Sequence, residues 1–131
     1  MRISTKGRYA LRVMVDLAEN SNGKFISLKE IAHRQEISLK YLEQIVALLN
    51  KAHFLQATRG NSGGYKLAKA PCEYKIGDIL RVTEGDLAPI GCVSGEECHR
   101  KENCRTYKFW QGLDDVIIQY MDHKTLEDLV K

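Results

Sequence analysis

Tyr9, Ala10, Val13, Met14, Leu17 and Ala18 recur at the three- and four-residue intervals of one helical face and predict a first helix over residues 5–20. Ser4 or Thr5 can cap its start, and the Asn20–Gly23 stretch ends it, because Asn and Gly accept positive φ at low cost. Ser27-Leu28-Lys29-Glu30 is a capping-box sequence that opens a short helix through about Arg34, with Leu28, Ile31 and Ala32 inward. Gln35, Glu36 and Ile37 make a tight connection. Ser38 then caps a helix over 39–51 with Leu39, Leu42, Ile45, Val46, Leu48 and Leu49 on its apolar side. Two short helices joined this closely form a helix-turn-helix pattern.

Phe54 to Thr58 reads as a strand, Gly60-Asn61-Ser62-Gly63-Gly64 as a turn, and Tyr65 to Ala68 as the returning strand. A hairpin directly after a helix-turn-helix is a wing, and Pro71 closes it. Ile76 to Glu84 predicts another helix, stopped by Gly85. After a polar loop, residues 105–122 carry Tyr107, Phe109, Trp110, Leu113, Val116, Ile117, Ile118, Tyr120 and Met121. That helix holds more apolar surface than a small winged domain can cover, so pairing with a second copy is expected. Thr125 caps a last short helix. The predicted fold is mainly α with a small β-wing: a DNA-binding winged helix-turn-helix over 1–70, a loop over 86–104 and a dimerisation helix over 105–122, all within one domain of residues 1–131.

Charge sharpens this division. Residues 1–70 hold 12 Lys/Arg and 5 Asp/Glu, a net +7, whereas residues 71–131 hold 8 and 12, a net −4. The basic half suits an anionic polymer and the acidic half does not. The longest unbroken apolar run, Ile45 to Leu49, is far shorter than a membrane span. With no secretory segment, a cytoplasmic protein with reduced thiols is expected. There is no Ser–His–Asp order, P-loop or dinucleotide turn, so no enzyme is expected.

The N-terminal part of a second helix-turn-helix helix enters the major groove of double-stranded DNA. Here it offers Ser38, Lys40, Tyr41 and Gln44 outward. Gln44 can pair with adenine and Glu43 can accept from a cytosine amino group. Lys40 and Ser38 suit phosphates. Any one of these polar residues is more commonly part of a solvated face. A carboxylate such as Glu43, however, weakens phosphate binding unless it reads a base. Arg59 and Gly60 stand at the wing tip, where an Arg senses the negative potential of a narrow minor groove. Arg2, Lys6, Arg8 and Arg12 crowd the N-terminus, and the first three can touch phosphates, although a long helix more commonly carries such residues as a solvated face. A palindromic operator demands a two-fold protein, hence a homodimer.

Cys92, Cys98 and Cys104 form an evenly spaced C-x5-C-x5-C tract in a polar, Gly-containing loop. Thiolates gathered there suit a soft metal or an iron–sulfur cluster. Structural zinc is a poorer match, since its knuckles use closer cysteine pairs. A complete cluster shell takes one more ligand, with Tyr107, His99, Cys72, His123 and Glu43 as candidates. Cys72 reads better as a small buried apolar residue. Free thiols that sense oxidation are the bland alternative.

The segments Met1 to Leu11, Ile37 to Gln44 and Arg59 to Leu67, taken with the cysteine tract, resemble the IscR-type regulators of the Rrf-two superfamily along essentially the whole chain. The resemblance implies winged-helix homodimers that bind an iron–sulfur cluster of the two-iron two-sulfur type and repress iron–sulfur assembly genes, with cluster-assembly proteins as further partners. By that similarity Cys92, Cys98 and Cys104 are cluster ligands, Glu43 and Gln44 read bases, and Arg59 is the minor-groove residue. The IscR pattern places a histidine ligand three residues after the last cysteine, and here that position is Tyr107. Other superfamily members sense nitric oxide or iron, and cluster-free members answer to cysteine supply. A small redox or protein-adaptor module is the alternative of another class.

Overall fold

The computed structural model describes residues 2–60 and 63–131. Its order is α1 (Thr5–Asn20), α2 (Leu28–Gln35), α3 (Leu39–Lys51), β1 (Leu55–Thr58), β2 (Gly64–Leu67), α4 (Ile76–Glu84) and α5 (Tyr107–His123), with short 3-10 turns at Pro71–Glu73, Gly91–Val93, Lys101–Asn103 and Leu126–Leu129. This is the expected mainly helical fold with a small antiparallel wing. Asn61 and Ser62 of the predicted turn lie outside the described residues.

Serine hydroxyls set the helix starts. Ser4 accepts from the Gly7 amide at 3.1 Å, Ser27 from Glu30 at 3.2 Å and Ser38 from Tyr41 at 3.2 Å. The capping box at Ser27 is only half formed, because the Glu30 carboxylate turns to Arg34 at 3.7 Å. Glu36 ends α2 at φ +55°, the left-handed conformation that turns the chain sharply toward α3.

α1 is the axis of the core. Its Ala10, Val13, Met14 and Leu17 are wholly buried and pack with Ile31 of α2 and Leu42, Ile45, Val46 and Leu49 of α3. On the same buried stripe lies Asp16, 1% exposed. Arg34 Nε and Nη2 donate to its carboxylate at 3.0 and 2.8 Å, and Gln35 Nε2 donates at 2.9 Å. Arg12 Nε donates to Gln35 Oε1 at 3.1 Å, and its Nη2 donates to the Gln35 carbonyl. Arg12 is exposed on the helix face, as expected, and in addition bridges α1 to α2. The Asp16 partnership raises the Arg34 pKa further above the usual guanidinium value, against the opposing effect of desolvation.

The hairpin pairs Leu55 with Leu67 and Thr58 with Gly64. Ile26 adds a bridge to Tyr65, with amide–carbonyl bonds of 2.8 Å in both directions. A side chain at Gly64 would collide with the Ile26 carbonyl, so glycine is required for this approach. The wing's base is held by Tyr74, 2% exposed. Its hydroxyl donates to the Phe54 carbonyl at 2.6 Å and accepts from the Ala68 and Lys69 amides at 3.0 Å each. Burial pushes the phenol's pKa up, against the two amide donors, so the group stays a neutral hydroxyl able to donate.

α4 joins both ends of the chain. Ser4 donates from its amide and hydroxyl to Glu84 Oε1 at 2.8 and 2.6 Å. Arg81 makes two bonds to Asp122 at the end of α5, at 2.9 and 3.1 Å. Gly77 has no room for a side chain beside that pair. The expected helix over 105–122 starts and ends slightly later, with Thr106 at its N-cap. The last short helix is a 3-10 turn, with the Thr125 amide donating to Asp128 at 2.8 Å.

Replacing Asp16 with Ala strands the Arg34 and Gln35 donors at a buried joint. The expected cost is about 2 kcal/mol, typical of charged hydrogen bonds left unmade, read as a lower urea midpoint at unchanged slope.

Candidate nucleic-acid interface and cysteine loop

The recognition face grows out of the packing of α3. Because Leu42, Ile45, Val46 and Leu49 are buried, the intervening Lys40, Glu43, Gln44 and Ala47 form one exposed stripe. Among the described residues no ion pair ties down Lys40 or Glu43. Ser38 stands exposed at the N-terminus of this stripe with its hydroxyl accepting from Tyr41. It retains a proton to donate to an anion, and the free amides at a helix start favour negative charge.

Two sequence expectations on α3 change. Tyr41 was expected outward with Lys40, yet it is half-buried. Its ring stands edge-on to Tyr9 of α1, with centroids 5.8 Å apart and planes at 88°. Arg12 lies over the other partner, 5.0 Å from the Tyr9 centroid. Tyr41 thus joins α3 to α1, because the first turn of α3 passes too close to α1 for its ring to clear it. Leu39, expected inward, is 37% exposed: the buried stripe of α3 begins only at Leu42.

Arg59 and Gly60 follow directly on β1 and are both exposed. Gly60 has φ +105°, open to glycine and strained for other residues, and its carbonyl accepts from the Gly63 amide at 2.9 Å. The wing leaves α3 without slack, since the Phe54 amide bonds to the Leu49 carbonyl at 3.1 Å. Arg2 is exposed just before α1. Thus Ser38, Lys40, Glu43 and Gln44 share one face, and Arg59 with Gly60 occupies the adjoining hairpin.

The cysteine tract lies along the segment between α4 and α5. Cys92 is half-buried in the Gly91–Val93 turn, whereas Cys98 and Cys104 are exposed, and all three are free thiols. Among the described residues no three His, Cys, Asp or Glu side chains converge as a metal-holding group. The donors fit a thiolate-bound cluster in kind, being soft and unpaired. They fall one short in number and are not gathered. Tyr107, at the start of α5, has its hydroxyl accepting from Gln111 at 3.2 Å and the Lys101 ammonium 5.0 Å from its ring centroid.

Cys104 has its thiol pKa lowered, first by the Thr106 hydroxyl 3.3 Å away, then by the Thr106 and Tyr107 amides and the Arg100 charge. A thiolate is accordingly more accessible there than in an ordinary exposed cysteine. Nearby, burial and the charges of Asp115 and Asp86 hold the Asp114 carboxyl above its usual range. Cys72 is also corrected: it is exposed, because Glu73 caps the Ala70 amide at 2.9 Å and Tyr74 takes the inward position of that turn.

Sequence reading missed Asp16, Tyr74 and the clamp role of Arg12. Asp16 left a signal, an acid on the apolar stripe of α1. Tyr74 left none, since its partners are backbone groups distant along the chain.

Comparison with known proteins agrees with this geometry. Residues 3–131 match the family model Rrf2, described as "Iron-dependent Transcriptional regulator". The chain is 40% identical over 129 residues to the HTH-type transcriptional regulator CymR of Bacillus subtilis, covering 98% of this chain and 89% of the relative. The structure of CymR (YrzC), titled the global cysteine regulator of B. subtilis, superposes with TM-score 0.81 at 39% identity, covering 98% of this chain and 95% of the other. That of T. potens IscR gives 0.78 at 38% identity, covering 98% and 85%. No helix among the described residues is long and apolar enough to cross a membrane. The chain belongs to the Rrf2 family of DNA-binding helix-turn-helix transcription regulators, which are not enzymes.

Proposed function

We propose that the protein is a homodimeric repressor whose grip on its operator is set by the state of Cys92, Cys98 and Cys104, holding an iron–sulfur cluster of the two-iron two-sulfur type. The observation that carries this reading is a continuous mechanical route from the cysteine loop to the DNA-facing half. The Gly91–Val93 turn bearing Cys92 packs on α5. Arg81 ties α5 to α4, and Glu84 ties α4 to the start of α1. α1 then holds α2 and α3 through Asp16 and the core.

A bound cluster would supply multidentate sulfur-held cross-linking of a loop that has little apolar surface of its own to bury. In this reading Cys92, Cys98 and Cys104 supply three sulfurs, and Tyr107 stands where the fourth ligand is placed by resemblance. Lys40, Ser38, Arg2 and Gly60 contact phosphates, Gln44 and Glu43 read base edges, Tyr41 supports α3 from behind, and Arg59 enters the minor groove.

The dimer rests on α5. Phe109, Val116 and Tyr120 are 65, 62 and 68% exposed, and Leu113 lies between them at 36%. Their alternating four- and three-residue spacing is that of a helix pairing seam. A face of this kind is costly to leave in water and suits a second copy.

A second reading has its own support. The exposed, acidified thiol of Cys104 and the likeness to a cysteine regulator favour a cluster-free thiol switch, in which thiolate oxidation replaces cluster binding as the signal.

Anaerobic loading with iron and sulfide separates the two. The cluster reading expects visible absorption with near-stoichiometric iron and sulfide per chain, lost in Cys92→Ser, Cys98→Ser and Cys104→Ser. A colourless product would favour the thiol switch. Replacing Lys40 with Ala is expected to reduce the slope of log affinity against log salt by about 1, whereas Gln44→Ala should cost about 1–3 kcal/mol on the operator and little on unrelated DNA. Val116→Asp is expected to turn the dimer into a monomer in sedimentation.

A further inference from the structure

We propose that Tyr74 is the positioning residue for the wing's DNA contact, its hydroxyl fixing the angle of the hairpin and its backbone tying that angle to the end of α5. The proposal rests on the reading of Arg59 as a groove contact. Tyr74 lies outside both the recognition helix and the cysteine loop.

Its side chain and its backbone serve two different elements. On the wing side, one hydroxyl meets the base of both strands: Phe54, immediately before β1, through its carbonyl at 2.6 Å, and Ala68 and Lys69, immediately after β2, through their amides at 3.0 Å. The Tyr74 ring stands edge-on to Phe54, with centroids 5.5 Å apart and planes at 79°, and Lys69 Nζ lies 5.0 Å from the Tyr74 centroid.

On the other side, the Tyr74 carbonyl accepts from the Leu126 amide at 2.9 Å, and the Ile76 amide donates to the Lys124 carbonyl at 2.9 Å. Those partners follow directly on α5, which ends at His123. The same end of α5 is held by the Arg81–Asp122 pair. A shift of α5 at Asp122 therefore reaches residues 124–126, then the backbone at 74–76, then the wing's base, through rigid hydrogen bonds.

The chemistry of the residue matters to this argument. A buried aliphatic side chain fills space but tolerates small rotations of the hairpin. A buried hydroxyl with one donor and two acceptor bonds is directional: without it the Lys69 amide loses its hydroxyl partner, while the Ala68 amide and the Phe54 carbonyl keep only their mutual bond of 3.2 Å. The wing hairpin has only two strands; the Phe54–Leu49 bond fixes where it leaves α3 and the Ile26 bridge holds Tyr65, and the Tyr74 hydroxyl is what joins the two strand ends at its base.

The test is a double-mutant cycle on operator affinity with amide exchange on the full chain. Tyr74→Phe keeps the ring and removes the three bonds. Exchange at the Lys69 amide should rise at least tenfold, and at Ala68 less, since its amide keeps the Phe54 carbonyl at 3.2 Å. Operator affinity should fall three- to tenfold, and adding Arg59→Ala should cost nothing beyond Arg59→Ala alone. Full additivity with an effective Arg59→Ala would overturn this proposal alone. An Arg59→Ala without effect would overturn the wing reading and this proposal with it. In the otherwise wild-type chain, Asp122→Asn should speed exchange at Ala68 and Lys69 several-fold, which keeps the test decisive if Tyr74→Phe folds poorly. Unchanged exchange there would overturn the link to α5.

Discussion

The buried Asp16 carboxylate governs the orientation of the helix-turn-helix. An unpaired carboxylate in a core costs several kcal/mol, so it persists only where partners arrive in fixed geometry. Arg34 and Gln35 supply those partners from the last turn of α2, and Arg12 closes the arrangement on Gln35. Apolar contacts between α1 and α2 would allow a range of crossing angles, whereas three directional bonds to one carboxylate allow one. The left-handed Glu36 follows at once, so the direction of α3 is inherited from the position of Asp16. Arg34 remains partly exposed, which moderates what the pair adds to stability and leaves specificity of arrangement as its main effect.

From that joint the molecule divides by charge and by surface. The basic half presents one polar stripe of α3 and the adjoining hairpin, with its apolar residues turned into the core around α1. The acidic half presents an uncovered apolar face on α5 and a loop of free thiols. The two halves meet at α4, which bonds to the start of α1 through Glu84 and to the end of α5 through Arg81. Those contacts form a continuous path between the thiol loop and the exposed stripe of α3, along which the proposed coupling would run in both directions.

Helix limits were legible in the sequence wherever a serine cap preceded a periodic apolar stripe. Ser27 and Ser38 cap as read, Ser4 takes the cap that the sequence left open between it and Thr5, and the limits of α1 and α3 agree with the expectation; those of α4 agree without a serine, its N-cap being Lys75. The outward direction of Lys40, Glu43 and Gln44 followed from the same periodicity. Tyr41 and Leu39 departed because the first turn of α3 answers to the neighbouring α1 and not to its own pattern. Cys72 departed because the short turn around it gives its inward position to Tyr74. The spacing of the cysteine tract marked three cysteines on one segment, and all three are free thiols. It could not announce an arrangement in space, because a polar loop has no apolar period to fix its path.

The central claim is that the state of the three thiols in the acidic half alters how the basic half holds DNA. The most direct test is operator affinity by fluorescence anisotropy, at several salt concentrations, for one anaerobic preparation before and after loading with iron and sulfide. The account predicts at least a tenfold difference that is reversed on removing the cluster. Equal affinities of a fully loaded and a metal-free dimer on every duplex tried would contradict it.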